Sequence, residues 1–137
     1  MKKFKIGVFA FGKSAVNTLQ KLAADDTITI AFVMLRIGND DKDIKSICAI
    51  NKIECLENLK VNNDVVKGQL ASYNCDLFVS MNFDQIFKTD MINIPPLKTI
   101  NCHTGKLPYY RGKNTLNWSL INGESDYGVT VHYVDEG

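Results

Sequence analysis

Apolar positions along the chain switch repeatedly between a strand-like and a helix-like period. Lys3–Ala10 is a short alternating apolar run and predicts a strand, whereas Lys13–Ala24 sets Ala15, Val16, Leu19, Leu22 and Ala23 near the 3.6-residue spacing of one helix face. Thr27–Leu35 is almost continuously apolar, as expected of a strand buried on both faces of a parallel sheet. Gly38-Asn39-Asp40-Asp41 is turn chemistry and introduces a helix over Asp43–Asn51. A short strand near Ile53–Leu56 leads to an acid-capped helix from Asn63 to Tyr73, and Cys75–Met81 reads as a strand ending at Asn82. A helical turn over Gln85–Ile92 is stopped by Pro95-Pro96. Thr99–His103 is the next strand, Asn114–Asn122 the next helix, and Tyr127–Val134 a last alternating strand. Strand–helix alternation of this kind predicts an open α/β sheet in one domain. Ligands of such sheets bind outside the carboxyl ends of the strands, where Asn82–Phe87 and Asn101–His103 both fall.

Bulk properties narrow the function classes. A chain of 137 residues can bury one core. Its net charge of +1 supplies no global field to recruit nucleic acid or an anionic membrane. The N-terminus begins like a signal peptide, but Lys13 interrupts a short alternating run without a small-residue cleavage site, so a first core strand is expected. No apolar segment approaches the roughly 20 residues that span a bilayer. Cys48, Cys55, Cys75 and Cys102 have no C-x-x-C spacing and read as small hydrophobes in a reducing cytoplasm, with no metal site expected. Cys102 and His103 are adjacent on a strand, face opposite ways and form no dyad.

Gly7–Ser14 satisfies the pattern G-x-x-x-x-G-K-S of a phosphate-binding loop. Its four variable positions are Val-Phe-Ala-Phe, which continue a strand rather than turn backbone N–H groups around a phosphate. The expected structure is therefore a strand, a turn at Gly12 and a helix beginning near Lys13 or Ser14. Gly12, Lys13 and Ser14 can still meet an anionic substrate group at that helix start.

The chemistry concentrates in the last third. Asn-Cys-His-Thr-Gly-Lys-Leu-Pro-Tyr-Tyr-Arg-Gly (Asn101 to Gly112) sets an amide and an imidazole two residues apart on a strand, hence on one side of it. An amide donor beside a titratable imidazole suits acyl transfer, where an oxyanion is held and a proton moved. Asn-Trp-Ser-Leu-Ile-Asn-Gly-Glu (Asn117 to Glu124) and Gly-Val-Thr-Val-His-Tyr-Val-Asp-Glu-Gly (Gly128 to Gly137) follow. In this order the segments resemble the folate-dependent formyltransferases: those acting on methionyl-tRNA, on glycinamide ribonucleotide and on amino sugars. The wording is closest to the sugar N-formyltransferases.

The resemblance implies a Rossmann-like, mostly parallel sheet with helices on both faces. It implies 10-formyltetrahydrofolate as formyl donor, no metal, and Asn101 and His103 as catalytic residues. It places Phe83, Gln85, Ile86 and Phe87 in the folate pocket, with Gln85 and Phe87 acting through main chain and Phe83, Ile86 and Phe87 enclosing the ring, and Glu136 and Gly137 on the pocket's other side; the alternative is that residues 81–87 simply cap a strand and fill the core. The family's third catalytic residue, an Asp, follows the segment that ends this chain. The expectation is thus a catalytic domain truncated at its C-terminal end, with Asp135 no substitute. Arg111 reads as an anchor of its loop, with substrate contact as the alternative; His132, Tyr109, Tyr110 and Trp118 read as packing residues.

The loop from Arg36 to Asp43 is short and net acidic, which disfavours a phosphate backbone. Phe11–Ala15 also lacks the glycine-rich Ser-Asn turn of the purine-pathway enzyme. The expected acceptor is a nucleotide-linked amino sugar, with methionyl-tRNA as the alternative and a homodimer allowed. From a different class comes a catalytically incompetent formyltransferase-like binding module.

Overall fold

The structure is a computed structural model that describes residues 1–136. The elements in chain order are β1 (Phe4–Ala10), α1 (Gly12–Ala23), β2 (Ile28–Leu35), α2 (Lys42–Ile50), β3 (Glu54–Leu56) and α3 (Asp64–Ser72). They continue with β4 (Leu77–Met81), α4 (Thr89–Ile92), β5 (Thr99–His103), α5 (Thr115–Ile121) and β6 (Thr130–Tyr133). The strands form one sheet in the order β3-β2-β1-β4-β5-β6, parallel except for β6, which pairs antiparallel to β5. This is the expected Rossmann-like α/β architecture.

Two apolar layers hold it. On one face Val8, Val33 and Val79 pack against Leu19 of α1 and Ile44 of α2; on the other Phe9, Phe32 and Phe78 pack against Leu70 of α3 and Met91 of α4. Phe9 makes edge-to-face contacts with Phe32 and Phe78 at centroid distances of 5.5 and 5.4 Å, the geometry the ring quadrupole favours. Gly7 belongs to this second layer by necessity. A Cβ there would lie 2.3 Å from Phe32 Cζ, so the Phe32 ring fills the space the glycine leaves. The pairing of β1 with β2 shifts register between Ile6 and Gly7, from Ile6↔Ile30 to Gly7↔Phe32. The extra residue, Ala31, is a bulge, and it lets Phe32 face the same layer as Ala31 while Ile30 and Val33 face the other. Gly7–Ala10 is thus strand interior, as the apolar Val-Phe-Ala-Phe run predicts, and not a phosphate loop.

Helix starts follow their capping residues. Asp41 accepts from Ile44 N at 3.1 Å and starts α2; Asn63 accepts from Val65 N and Val66 N and starts α3. The largest departure from the expected elements is the turn over Gln85–Ile92, which is helical only from Thr89. The Gln85 side chain donates to Leu59 O (2.9 Å) and accepts from Val61 N (3.0 Å), while Asn62 Oδ1 accepts from Lys88 N. These tertiary bonds hold residues 85–88 in an irregular path. Among the described residues no helix is long and apolar enough to cross a membrane.

Candidate active site

The chain runs from β1 outward to β2 and β3, then returns to β4 on the other side of β1. That reversal opens a crevice at the strands' carboxyl ends. A cleft of about 520 Å³ lies there, lined among others by Gly12, Arg36, Asn82, Phe83, Asn101 and His103. Asn82 ties its floor together. It sits at φ 54°, a left-handed conformation that Asn tolerates better than most residues. Its amide donates to Phe11 O (3.2 Å) and Ser14 Oγ (2.9 Å), and its carbonyl accepts from Arg36 Nε (2.6 Å). The Arg36 guanidinium carbon stands 4.0 Å from the Phe11 ring centroid, a cation–π contact that fixes a positive charge in the cleft.

β5 delivers Asn101 and His103 to one side of the cleft, as the two-residue spacing predicts. His103 Nε2 lies 2.6 Å from the main-chain carbonyl of Tyr110. A carbonyl only accepts, so Nε2 carries the proton, and Nδ1 is the basic atom of the neutral ring. This close approach depends on Gly105. A Cβ at 105 would stand 2.6 Å from Tyr110 O and 2.8 Å from His103 Nε2. The intervening loop, whose Leu107–Pro108 peptide is cis, is pinned to β6: Thr130 Oγ1 donates to Gly105 O (2.7 Å) and accepts from Leu107 N (3.2 Å). Thr115 Oγ1 and Tyr127 OH both donate to Thr104 O. Neither Gly105 nor the Tyr110 carbonyl carries a sequence signal beyond a glycine two residues after the imidazole.

The residues expected to hold folate separate. Phe83 lines the cleft, but Phe87 is only 4% exposed and packs on Phe9 at a centroid distance of 4.9 Å, so it is core and no pocket wall. Ile86 is 82% exposed and lies outside the cleft lining. Gln85 uses its side chain as the clamp described above. Among the described residues the main-chain N–H groups of Gln85, Ile86 and Phe87 and the carbonyls of Gln85 and Phe87 make no hydrogen bond within the chain. Glu136 accepts from Thr89 N at 2.9 Å, which holds its carboxyl below the usual range and ties the last described residues to the start of α4. Gly137 lies outside the described residues.

Other expectations change in detail. Arg111 Nε donates to Pro108 O (3.0 Å), the anchoring contact expected of it. The α1 start differs from the anion site expected of Gly12, Lys13 and Ser14, because Gly12 N already donates to Asp41 Oδ2 (3.2 Å) and Ser14 accepts from Asn82. Lys13 is exposed and lies outside the cleft lining. Tyr109 and Trp118 are largely exposed rather than packed. His132, expected to be a packing residue, lies half-buried opposite Asn101. The four cysteines are free thiols. Among the described residues no group of three or more His, Cys, Asp or Glu side chains could hold a metal ion.

A sequence model of the family described as "Formyl transferase" matches residues 38–137. The chain belongs to the formyl transferase family. The methionyl-tRNA formyltransferase of Clostridioides difficile (strain 630) is 37% identical over 94 residues, which are 69% of this chain and 30% of that protein. That of Geobacter metallireducens is 38% identical over 94 residues, with the same coverage of 69% and 30%. This family member therefore spans less than a third of the length of these relatives. Among solved structures, glycinamide ribonucleotide transformylase 1 from Symbiobacterium toebii superposes with a TM-score of 0.79 at 20% identity, over 98% of this chain and 68% of that one. A formyltetrahydrofolate deformylase from Pseudomonas syringae pv. tomato gives 0.75 at 19% identity, over 100% of this chain and 47% of that one. At such identities the structural likeness shows the shared fold alone.

Proposed function

We propose that the chain carries the acyl-transfer site of an N-formyltransferase that moves a formyl group from 10-formyltetrahydrofolate to the amine of a nucleotide-linked amino sugar. The observation that carries this reading is the presence of Asn101 and His103 on one side of β5 within the cleft. In this reading the Asn101 amide donates to the oxyanion that develops as the amine attacks. A donor in that role is typically worth about 10²–10³ in rate. His103 keeps Nε2–H on the Tyr110 carbonyl, so Nδ1 takes the proton leaving the attacking nitrogen, a contribution of about 10²–10⁴. The residues present fit the folate donor. Phe83 supplies an apolar wall, and the main-chain groups of residues 85–87 that lack a partner among the described residues offer the kind of donors and acceptors that a pterin edge requires. When bound, the donor supplies the activated formyl group. Arg36 and Lys113 add positive charge to the cleft lining, which suits an acceptor carrying phosphate.

The acceptor reading rests on the loop after β2. Asp41 caps α2 and receives Gly12 N, and the Lys45 cation lies between Asp40 (2.5 Å) and Glu57 (2.6 Å). That segment is short and folded back on the protein, with no cationic arm for a nucleic-acid backbone. Methionyl-tRNA is the second reading, favoured by the names of the relatives at 37% and 38% identity. Absence of C-x-x-C spacing and four free thiols suit a reducing cytoplasm. Mass spectrometry of nucleotide-linked amino sugars and charged initiator tRNA, each incubated with 10-formyltetrahydrofolate, separates the readings. Formylation of the sugar supports the first, and formylation confined to tRNA replaces it with the second. Folate binding without transfer to any amine would make the chain a binding module.

A further inference from the structure

β6 brings a second imidazole to the site. In the antiparallel register Asn101 lies directly opposite His132, and Asn101 Nδ2 stands 3.4 Å from His132 Nε2. The other ring nitrogen, Nδ1, lies 2.8 Å from the main-chain carbonyl of Tyr133. Because that carbonyl only accepts, Nδ1 holds the proton, and in the neutral ring Nε2 is left with a lone pair and no hydrogen. An asparagine amide offers an oxygen on one side and an NH₂ on the other. Turning the oxygen toward Nε2 would set lone pair against lone pair, so the NH₂ end faces β6.

We propose that His132 is a positioning residue for Asn101. The Tyr133 carbonyl sets the tautomer of His132, the Nε2 lone pair holds one N–H of the Asn101 amide, and the second N–H of the same group is thereby aimed for donation to an oxyanion in the cleft. At 3.4 Å the contact is long, as catalytic hydrogen bonds often are before substrate binds. The consequence for turnover rests on the N-formyl transfer reading; the geometry does not. The two histidines of the site are thus opposite tautomers, His103 protonated at Nε2 and His132 at Nδ1, each set by a backbone carbonyl.

Nitrogen-15 imidazole correlation spectra of the uniformly labelled full chain, recorded where both rings are neutral, read this directly. Opposite tautomers are expected, and His132 protonated at Nε2 would overturn the proposal whatever the activity. His132→Gln keeps an acceptor near the Nε2 position, whereas His132→Leu keeps only bulk. The Asn101 side-chain amide resonances are expected to move in His132→Leu and to stay near wild type in His132→Gln. In the transfer assay kcat is expected to fall about 10- to 100-fold in His132→Leu, with the KM for the formyl donor unchanged and substantial rescue in His132→Gln. A packing role would give the reverse order, with Leu active and Gln impaired, and would sink the proposal. If wild-type chain transfers no formyl group, the function reading fails while the spectra still decide the positioning role.

Discussion

Gly105→Ala is the most informative single perturbation of the site. Its backbone is not in the left-handed region, so an added Cβ acts through contact alone. That carbon would stand 2.6 Å from Tyr110 O and 2.8 Å from His103 Nε2. Even the closest favourable carbon–oxygen contacts sit near 3.3 Å, so the carbonyl and the ring must separate from the new methyl by about 0.7 Å. The 2.6 Å bond between them would then open to beyond about 3.2 Å, the end of the ordinary range. Losing one such bond costs roughly 1 kcal/mol of stability. The kinetic cost is larger, because a displacement near 1 Å in a reacting group can cost about 10²-fold. The expected outcome is a fall in kcat/KM of about 10- to 100-fold, mostly in kcat, with a small drop in Tm. A formyl-transfer assay under saturating donor and a thermal melt measure the two effects. Wild-type kcat/KM in a folded Gly105→Ala chain would refute the claim that the Tyr110 carbonyl orients His103.

Further outcomes follow from the packing and the caps. Gly7→Ala puts a methyl 2.3 Å from Phe32 Cζ and 3.0 Å from Phe78 Cδ1, and urea unfolding is expected to show about 1–3 kcal/mol lost to overpacking; an unchanged midpoint would mean the rings yield freely. Asp41→Ala removes the α2 cap and the acceptor of Gly12 N, for a loss of about 1 kcal/mol by the same method, with no loss arguing against the capping role. Contact with the Cys55 thiol, then burial, pushes Cys48 up; Cys55 is lowered by the same contact; burial pushes Cys75 up to about 11. Since the thiolate is the nucleophile, iodoacetamide near neutral pH is expected to modify Cys55 before Cys48 and Cys75, and peptide mapping that finds Cys75 first would contradict the assignment.

What the amino-acid pattern reveals here is what repeats locally. The run of Val-Phe-Ala-Phe suffices to reject a phosphate loop in favour of β1, and the two-residue step from Asn101 to His103 suffices to put both on one side of β5. Main-chain partners left no such trace: the carbonyls of Tyr110, Tyr133 and Asn82 orient His103, His132 and Arg36, yet a carbonyl has no residue identity to read. Cross-strand partnership was equally hidden, since His132 meets Asn101 only through the β5–β6 register. The Phe87 ring suits a pocket wall and the core equally well by its type alone, and only its contact with Phe9 decides for the core. The helical turn expected from Gln85 begins only at Thr89, because the Gln85 side chain bridges Leu59 and Val61.

Formyl transfer itself is the most direct test of the central claim. Wild type, Asn101→Ala and His103→Ala chains, each confirmed as folded by circular dichroism, would be incubated with 10-formyltetrahydrofolate and a panel of nucleotide-linked amino sugars and charged initiator tRNA, with products resolved by mass spectrometry. The expected result is one formyl group gained by an amine with wild-type chain, and a rate lower by at least about 10² in each variant. Transfer that survives both substitutions, or folded wild-type chain that formylates no amine, would contradict it.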